Sequence, residues 1–235
     1  MPQMDHNLVY QKEADQYHLL ISKQPQLADV VNSIRACSGL DIVDLGAGTG
    51  RLTAALAPYA KSIKALDASA AMLQVNASRL LKGGFANWTT AVADLRKLPL
   101  EDQSADLIVA GWSICYLASD NDPRWKNNLQ EVMAEMHRVL RPNGAIVIFE
   151  TMGTGTAAPN PPGFLKPYYS MLVERYGFSH KWIRTDYQFE SPEQAEELAR
   201  FFFGDELADE VREQALSVVP ECAGVWWLNR SSHSK

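Results

Sequence analysis

One short stretch of the chain, residues 42–52 (IVDLGAGTGRL), limits the folds open to it more than any other feature. An apolar strand runs into three glycines spaced as G-x-G-x-G, and the pattern then becomes helical. A turn this tight, with its backbone turned towards a ligand, needs residues without a Cβ. The N–H groups that open the following helix suit a carboxylate or a phosphate. The stretch therefore predicts the first strand–turn–helix unit of an α/β domain, with a ligand at the turn.

Two residues distinguish this turn from the dinucleotide-binding pattern G-x-G-x-x-G. That pattern would require glycine at position 51, where Arg51 stands. Asp44 closes the strand, and its negative charge would not help a pyrophosphate but suits a ligand that carries an ammonium group. An NAD-dependent oxidoreductase is therefore disfavoured.

Two further predicted strands also end in a carboxylate. The strand at 62–67 ends at Asp67, 17 positions beyond Gly50, which is close to the spacing at which α/β nucleotide sites hold ribose hydroxyls. A carboxylate accepts two hydrogen bonds from a vicinal diol, although a helix N-cap or a surface acid is the alternative for Asp67. Ser69 is the better N-cap candidate for the next helix. Asp94 follows the third predicted strand, at 88–93.

Three features together resemble the class I, Rossmann-like S-adenosylmethionine (SAM)-dependent methyltransferases of the small-molecule type. They are Asp-Leu-Gly-Ala-Gly-Thr-Gly at 44–50, the acids after strands two and three, and the turn Leu-Arg-Pro-Asn-Gly at 140–144. The turn has one residue more than the family's usual run. The resemblance rests on motifs over roughly residues 40–150 and on general layout elsewhere.

The resemblance implies a single α/β domain with a doubly wound, mostly parallel seven-stranded sheet and an antiparallel C-terminal strand. A helical N-terminal cover and a cap insertion after strand five would complete it. The expected parts are a leader at 1–38, a SAM-binding core at 39–150, a cap or lid with strand six at 151–217, and the last strand and tail at 218–235.

The resemblance also implies SAM as the cofactor. The glycine loop would hold its methionine portion, Asp67 the ribose and Asp94 the adenine amino group, because an exocyclic amine donates and a carboxylate accepts. Met72 would lie against the adenine, although a core methionine is an equally good interpretation. No metal ligands are expected. The expected cofactor-binding residues are Asp44, Gly46, Ala47, Gly48, Gly50, Asp67, Ala68, Met72, Asp94, Leu95, Gly111 and Trp112.

Residues 111–116 follow the fourth predicted strand and are expected to face the reacting methyl group, because ligands lie beyond the carboxyl ends of parallel strands. An aromatic face, of Tyr17 or Trp112, would stabilise the sulfonium cation. Tyr17 has a simpler interpretation as packing of the leader. A general base is needed only for some acceptors. The candidates for catalytic roles are Tyr17, His18, Tyr116 and His180.

The expected function is methyl transfer from SAM to a small-molecule acceptor, with a protein acceptor as second choice. A non-catalytic SAM-binding regulatory or scaffold protein is the alternative of a different class. The aromatic-rich segment 151–189 is expected to be a mobile lid, hinged at 153–155, that completes the acceptor pocket. The alternative is that its rings only fasten the segment to the domain.

Composition restricts the partners and the compartment. The net charge of −6 argues against binding to nucleic acid through its phosphates. No stretch approaches the ~20 apolar residues of a membrane span. Cys37, Cys115 and Cys222 form neither a metal motif nor a disulfide framework, so a reduced thiol state in the cytoplasm is expected. A monomer or a homodimer is expected.

Overall fold

The computed structural model describes residues 10–230, and seven of the strands in that part form one sheet. Their order across the sheet is β3-β2-β1-β4-β5-β9-β6, and a separate two-stranded ribbon joins β7 to β8. The strands are β1 Asp41–Leu45, β2 Ser62–Asp67, β3 Trp88–Val92, β4 Ala105–Gly111, β5 Leu140–Thr154, β6 Ser179–Arg184, β7 Tyr187–Gln188, β8 Val218–Val219 and β9 Glu221–Asn229.

Strands β1 to β5 pair in parallel, whereas β9 runs antiparallel to both β5 and β6. The predicted fold class is therefore confirmed. The helices are α1 Ala14–Ile21, α2 Ala28–Ile34, α3 Arg51–Leu56, α4 Ala70–Lys82, α5 Cys115–Ala118, α6 Trp125–Val139, α7 Lys166–Glu174, α8 Pro192–Phe203 and α9 Asp205–Glu213, with a 3-10 turn at Gly163–Leu165 before α7.

The core lies on both faces of the central strands. Along β4, Ile108 and Ala110 belong to the apolar cluster on one face, while Leu107 and Val109 belong to the cluster on the other. This alternation is what a pleated strand covered on both faces requires, and it explains why β4 reads as an unbroken apolar run. The parallel strands therefore all point their carboxyl ends to one edge, where the loops that carry the predicted acids gather.

Two helices begin at a serine N-cap, and the first of these, Ser69, is predicted from the sequence. The hydroxyl of Ser69 accepts from the backbone N–H of Met72, and the hydroxyl of Ser191 accepts from that of Gln194. Each N-cap satisfies one of the N–H groups that a first helical turn leaves unpaired. The first of these caps fixes where α4 starts, directly after the acid that ends β2.

The predicted hinge at 153–155 is tied to the sheet in this structure, and its motion stays a prediction. β5 continues to Thr154, which pairs with Glu221 of β9, and the N–H of Gly155 donates to the carbonyl of Pro220 over 2.8 Å. The rings of α7 pack inwards as the alternative proposed: Tyr168 is fully buried. Residues 1–9 of the predicted leader and 231–235 of the predicted tail lie outside the described residues.

Within residues 10–230, no helix combines the length and the apolar character that crossing a membrane demands.

Candidate functional site

The glycine loop after β1 is held in a conformation that needs its glycines. Gly46, Gly48 and Gly50 have φ of +66°, +51° and +88°, in the left-handed region that residues with a Cβ rarely adopt. A Cβ on Gly46 would lie 2.1 Å from the Cβ of Ser113, and one on Gly50 would lie 2.3 Å from Oδ1 of Asn76. The loop therefore fits closely against the turn after β4 on one side and against α4 on the other.

Asp67 fastens the tip of this loop to the end of β2. Its Oδ2 accepts from the N–H of Gly48 and its Oδ1 from the N–H of Ser69, each over 2.8 Å. Burial raises the pKa of Asp67 in spite of these bonds. Each carboxylate oxygen can accept more than one hydrogen bond, so Asp67 can hold the loop and still accept from a ligand.

Asp94 is placed differently, at a half-exposed position beside Arg96. The Arg96 guanidinium grips it as a fork, with Nε 3.0 Å from Oδ1 and Nη2 2.7 Å from Oδ2. These bonds hold the pKa of the Asp94 carboxyl below its ordinary value. A ligand amine would therefore share this carboxylate with Arg96.

A first cavity of about 630 Å³ opens where these loops meet, at the carboxyl edge of the sheet. Its volume is in the ordinary range for a small-molecule site. Of the expected cofactor-binding residues, all but Asp44 and Gly50 line it. Apolar side chains add to its wall. They are Met72 of α4, and Val92, Ala93 and Leu95 at and just after the end of β3.

Asp44 lies behind the wall of this cavity, so the expected contact between its carboxylate and a ligand ammonium group is not available in this structure. It is 1% exposed, and the hydroxyl of Thr53 donates to its Oδ2 over 2.6 Å. Burial raises the pKa of Asp44 to about 7. Gly50 also stands back from the cavity, because it begins α3 and packs on Asn76.

Trp112 begins the turn after β4 with a φ of +51°, an unusual conformation for a bulky residue. Its ring stacks on Phe149, and the guanidinium carbon of Arg51 lies 3.8 Å from its centroid. Because Arg51 already occupies the ring as a cation, Trp112 is a poor choice for the sulfonium, contrary to the expectation from sequence. Tyr17 remains for that role.

A second cavity of about 700 Å³ adjoins the first. The two share a wall, and the residues unique to the second come mainly from the end of β5, the loop before α7, α8 and α9, with Cys115, Tyr187 and Glu221 added from α5, β7 and β9. Of the aromatic residues predicted for a lid, Tyr187 reaches this cavity. The residues that line both cavities are Tyr10, Tyr17, Ile21, Arg51, Trp112 and Tyr116.

Three tyrosines form the aromatic part of the shared wall. The hydroxyls of Tyr10 and Tyr116 lie 2.5 Å apart, and the Tyr10 ring meets the Tyr17 ring edge-on at 5.1 Å. Burial raises the pKa of all three, that of Tyr17 to about 12. They are therefore neutral at ordinary pH, and they are hydrogen-bonding groups and apolar surfaces rather than ready bases.

The two histidine candidates lie outside both cavities. His18 is half-buried on α1 with its Nδ1 3.4 Å from the hydroxyl of Thr49, and burial lowers its pKa to about 4. His180 is on β6 at the edge of the sheet, where its ring stacks on Trp226 with centroids 4.4 Å apart. The catalytic expectation for His180 is therefore corrected to a packing role.

Two charged residues of the second cavity carried no sequence signal for a site. Glu221, in the first position of β9, is 2% exposed, and its burial raises its pKa to about 7. The sequence marks Arg51 only as the residue that breaks a dinucleotide motif. An unpaired charge cannot be recognised from a single sequence, because it depends on what the fold places around it.

Comparison with known proteins finds similarity to methyltransferases. Residues 43–148 match the family model of a methyltransferase domain. An uncharacterised methyltransferase of Schizosaccharomyces pombe is 34% identical over 128 residues, covering 53% of this chain and 44% of the relative. Demethylmenaquinone methyltransferase of Anoxybacillus flavithermus is 29% identical over 215 residues, covering 87% and 84% of the two chains.

Solved structures give the same result for the fold. A SAM-dependent methyltransferase from Aquifex aeolicus superposes with a TM-score of 0.58 and 15% identity, covering 90% of this chain and 97% of that one. The chain spans 44% of the length of the S. pombe relative, so that relative's activity as a whole does not transfer directly.

Proposed function

We propose that this chain, whose residues 43–148 match the family model of a methyltransferase domain, is a class I, SAM-dependent methyltransferase that transfers a methyl group from SAM to a small-molecule acceptor. The observation that carries the proposal is the pair of adjoining cavities with a common wall. A two-substrate transfer needs two binding spaces that meet at the reacting atoms. The first would hold the cofactor and the second the acceptor.

The residues of the first cavity fit SAM. At Gly46 and Gly48 the loop presents backbone without Cβ atoms, as a close-lying methionine portion requires. Asp67 retains acceptor capacity for the ribose hydroxyls, and Asp94 for the adenine amine. Apolar side chains around Met72 and Leu95 would cover the flat faces of the adenine.

When bound, SAM supplies an electrophilic methyl group on a sulfonium, so much of the driving force lies in the cofactor. The task of this chain is to orient the two reactants and to exclude water. Tyr17, at the junction of the cavities, offers an aromatic face to a cation there. Glu221 can accept a proton in the second cavity, because a carboxyl with a pKa near 7 is suited to that work.

We also propose that the acceptor is a small molecule and that the protein works in a reducing compartment such as the cytoplasm. Seven aromatic residues with few charged groups line the second cavity, the composition usual for small-molecule pockets. They are Tyr10, Tyr17, Trp112, Tyr116, Tyr187, Phe202 and Phe203. Cys37, Cys115 and Cys222 are free thiols, as such a compartment favours.

Calorimetric titration with SAM, followed by a mass-spectrometric search for S-adenosylhomocysteine in the presence of acceptor candidates, tests the proposal. We expect binding and turnover. Binding without turnover on any acceptor would favour the non-catalytic alternative, and absence of SAM binding would contradict both.

The role of Tyr17 can be tested by comparing SAM with S-adenosylhomocysteine, which lacks the positive charge. Tyr17→Leu is expected to weaken SAM by about 0.5–2 kcal/mol more than it weakens S-adenosylhomocysteine, because only SAM presents a cation to the ring. Tyr17→Phe keeps the face and serves as the matched control. Equal losses for the two ligands would reduce Tyr17 to a packing residue.

A further inference from the structure

Arg51 has a placement that the proposed cofactor site does not explain. Its Nε and Nη2 are buried, and neither has a hydrogen-bond partner among the described residues. A buried cation without an acceptor is unfavourable, because it has lost its water without gaining a partner. The contact with the Trp112 ring offsets part of this loss but uses none of the N–H donors. The donors are therefore free to bind a ligand.

The groups around Arg51 indicate where it stands relative to the two cavities. It lines both, and Tyr187 and Glu221 lie near it on the side of the second cavity. Tyr187 and Glu221 line the second cavity and are absent from the first. Arg51 therefore stands at the boundary of the two cavities, next to the space where the acceptor would bind.

Glu221 leaves a second unsatisfied group in the same space. Its Oε1 accepts from the hydroxyl of Thr151 over 3.2 Å and the side chain of Thr154 also lies against the carboxylate, but its Oε2 is buried and has no partner within hydrogen-bond distance among the described residues. A ligand that satisfied both residues would offer an acceptor to Arg51 and a donor to Glu221. The unpaired donor of Arg51 and the unpaired acceptor of Glu221 therefore define which groups a complementary ligand would carry.

Two other acids, Glu206 and Glu210, also line the second cavity and would repel an anion. Both are exposed on α9, so solvent and salt screen their charges. The charge of Arg51 is buried and is screened much less. An anionic group would therefore bind at the inner end, against Arg51, with the rim acids remaining in water.

We infer that the acceptor is a small organic acid, whose carboxylate Arg51 binds and whose O–H or N–H group donates to Glu221. This inference rests on the proposed function and specifies the substrate class of its second cavity. The planar guanidinium suits a carboxylate, since its Nε and Nη2 form a fork that matches two oxygens. No contact with the cofactor is required of Arg51.

Labelling with phenylglyoxal, which modifies arginine, tests the inference without knowledge of the natural acceptor. Peptide mass spectrometry measures the rate of labelling at Arg51 in the protein without ligand and in the presence of benzoate, benzamide or S-adenosylhomocysteine. We expect benzoate to slow labelling at least tenfold, and the neutral isostere benzamide and S-adenosylhomocysteine to have little effect. Arg184, which pairs with Asp186 on the sheet edge, is the internal control and should not respond.

Protection by S-adenosylhomocysteine equal to that by benzoate would overturn the inference and assign Arg51 to the cofactor carboxylate. Labelling that benzoate does not slow would overturn it as well. Failure of the proposed function has a separate signature, because it would appear as absence of S-adenosylhomocysteine binding in calorimetry, whatever the labelling at Arg51.

Variants give a second measurement, with 4-hydroxybenzoate as an acid that also carries a donor. Arg51→Met is expected to weaken it about 10- to 100-fold, the equivalent of losing a charge-assisted hydrogen-bond pair. S-adenosylhomocysteine affinity should stay within about threefold. Arg51→Lys keeps the charge and is the variant to use should Arg51→Met fold poorly. Its affinity for 4-hydroxybenzoate is expected to lie between those of Arg51→Met and the wild type. Glu221→Gln should weaken 4-hydroxybenzoate more than benzoate, and equal effects on the two would remove Glu221 from the inference.

Discussion

The two cavities lie side by side, yet their polar groups are in opposite states. In the first, Asp67 accepts two backbone N–H groups and Asp94 is gripped by Arg96. In the second, Glu221 has one buried polar atom, and Arg51 on the shared wall has two, without a partner among residues 10–230. The first cavity is therefore built and held by its own hydrogen bonds, whereas the second depends on a ligand to complete its bonds. This difference predicts which variants affect the fold and which affect binding.

The largest effect is expected where the first cavity is most closely packed. Gly46→Ala would place a Cβ 2.1 Å from that of Ser113, at a φ of +66°, and should lower the free energy of unfolding of the ligand-free protein by about 3–5 kcal/mol. Gly48→Ala is the matched control. Its φ is also positive, at +51°, but its nearest atom would be Met72 Cε at 3.8 Å, so a loss of about 1–2 kcal/mol is expected.

Denaturant unfolding measures both variants. Equal losses would mean that backbone strain alone, and not the close approach to Ser113, requires glycine in this loop.

Asp67→Ala should have the next largest effect, on cofactor affinity. Losing its charged hydrogen bonds to a ribose is expected to weaken SAM by about 2–4 kcal/mol in calorimetric titration. The variant should also lose stability without ligand, because the N–H groups of Gly48 and Ser69 would lose their acceptor. Benzoate protection at Arg51 should survive, since that residue also lines the second cavity. Unchanged SAM affinity in a folded variant would remove Asp67 from the site.

The contrast between the cavities also explains how far the sequence alone could lead. The first cavity consists of strand ends and of turns with fixed chemistry, so glycine spacing and strand-ending acids predicted its members, and all but two of them line it. For Asp44 the sequence shows that it closes β1 but not that the fold buries it behind the wall, with Thr53 bonded to its Oδ2.

The second cavity could not be predicted in this way. Its walls come from residues as far apart as Tyr10 and Glu221, and no local pattern connects them. The segment at 153–155 looked like a hinge because of its glycines, but pairing with β9 decides its state, and that pairing is a property of the whole sheet. The imidazole of His180 suggests a general base, but the sequence does not show that this residue lies on the edge strand β6, outside both cavities.

A smaller effect is expected on the pH dependence of stability. Burial raises the pKa of Glu221 to about 7, against about 4.3 in the unfolded chain. The folded protein therefore holds the proton more tightly, so this contribution is fully present below pH 4.3 and is lost as the pH rises through 7. Glu221→Gln, which imitates the protonated form, should reduce that loss by about 1–3 kcal/mol.

Asp44→Asn is the matched change beneath the first cavity, where burial also raises a carboxyl pKa to about 7. Unfolding free energies of both variants from pH 4 to pH 8 test the sign. A stability curve for Glu221→Gln that falls as steeply as that of the wild type would show that Glu221 titrates normally. Saturating benzoate should shift the curve of unfolding free energy against pH by the same amount in Asp44→Asn as in the wild type.

The smallest effect is expected at Asp94, and it tests whether the first cavity is as self-satisfied as its hydrogen bonds indicate. Asp94→Asn should weaken SAM by less than about 1 kcal/mol, because the amide oxygen can still accept from the adenine amine and the lost charge is half-exposed beside Arg96. Asp94→Ala should lose more, since no acceptor remains.

Arg96→Ala separates two interpretations of the fork. If the fork only competes with the ligand for Asp94, its removal should tighten SAM binding slightly. If the fork instead aims the carboxylate, as its three bonds to Asp94 from Nε and Nη2 would allow, its removal should weaken SAM as much as Asp94→Ala does. Identical SAM affinity in all three variants and the wild type would leave Asp94 as a surface acid at the end of β3.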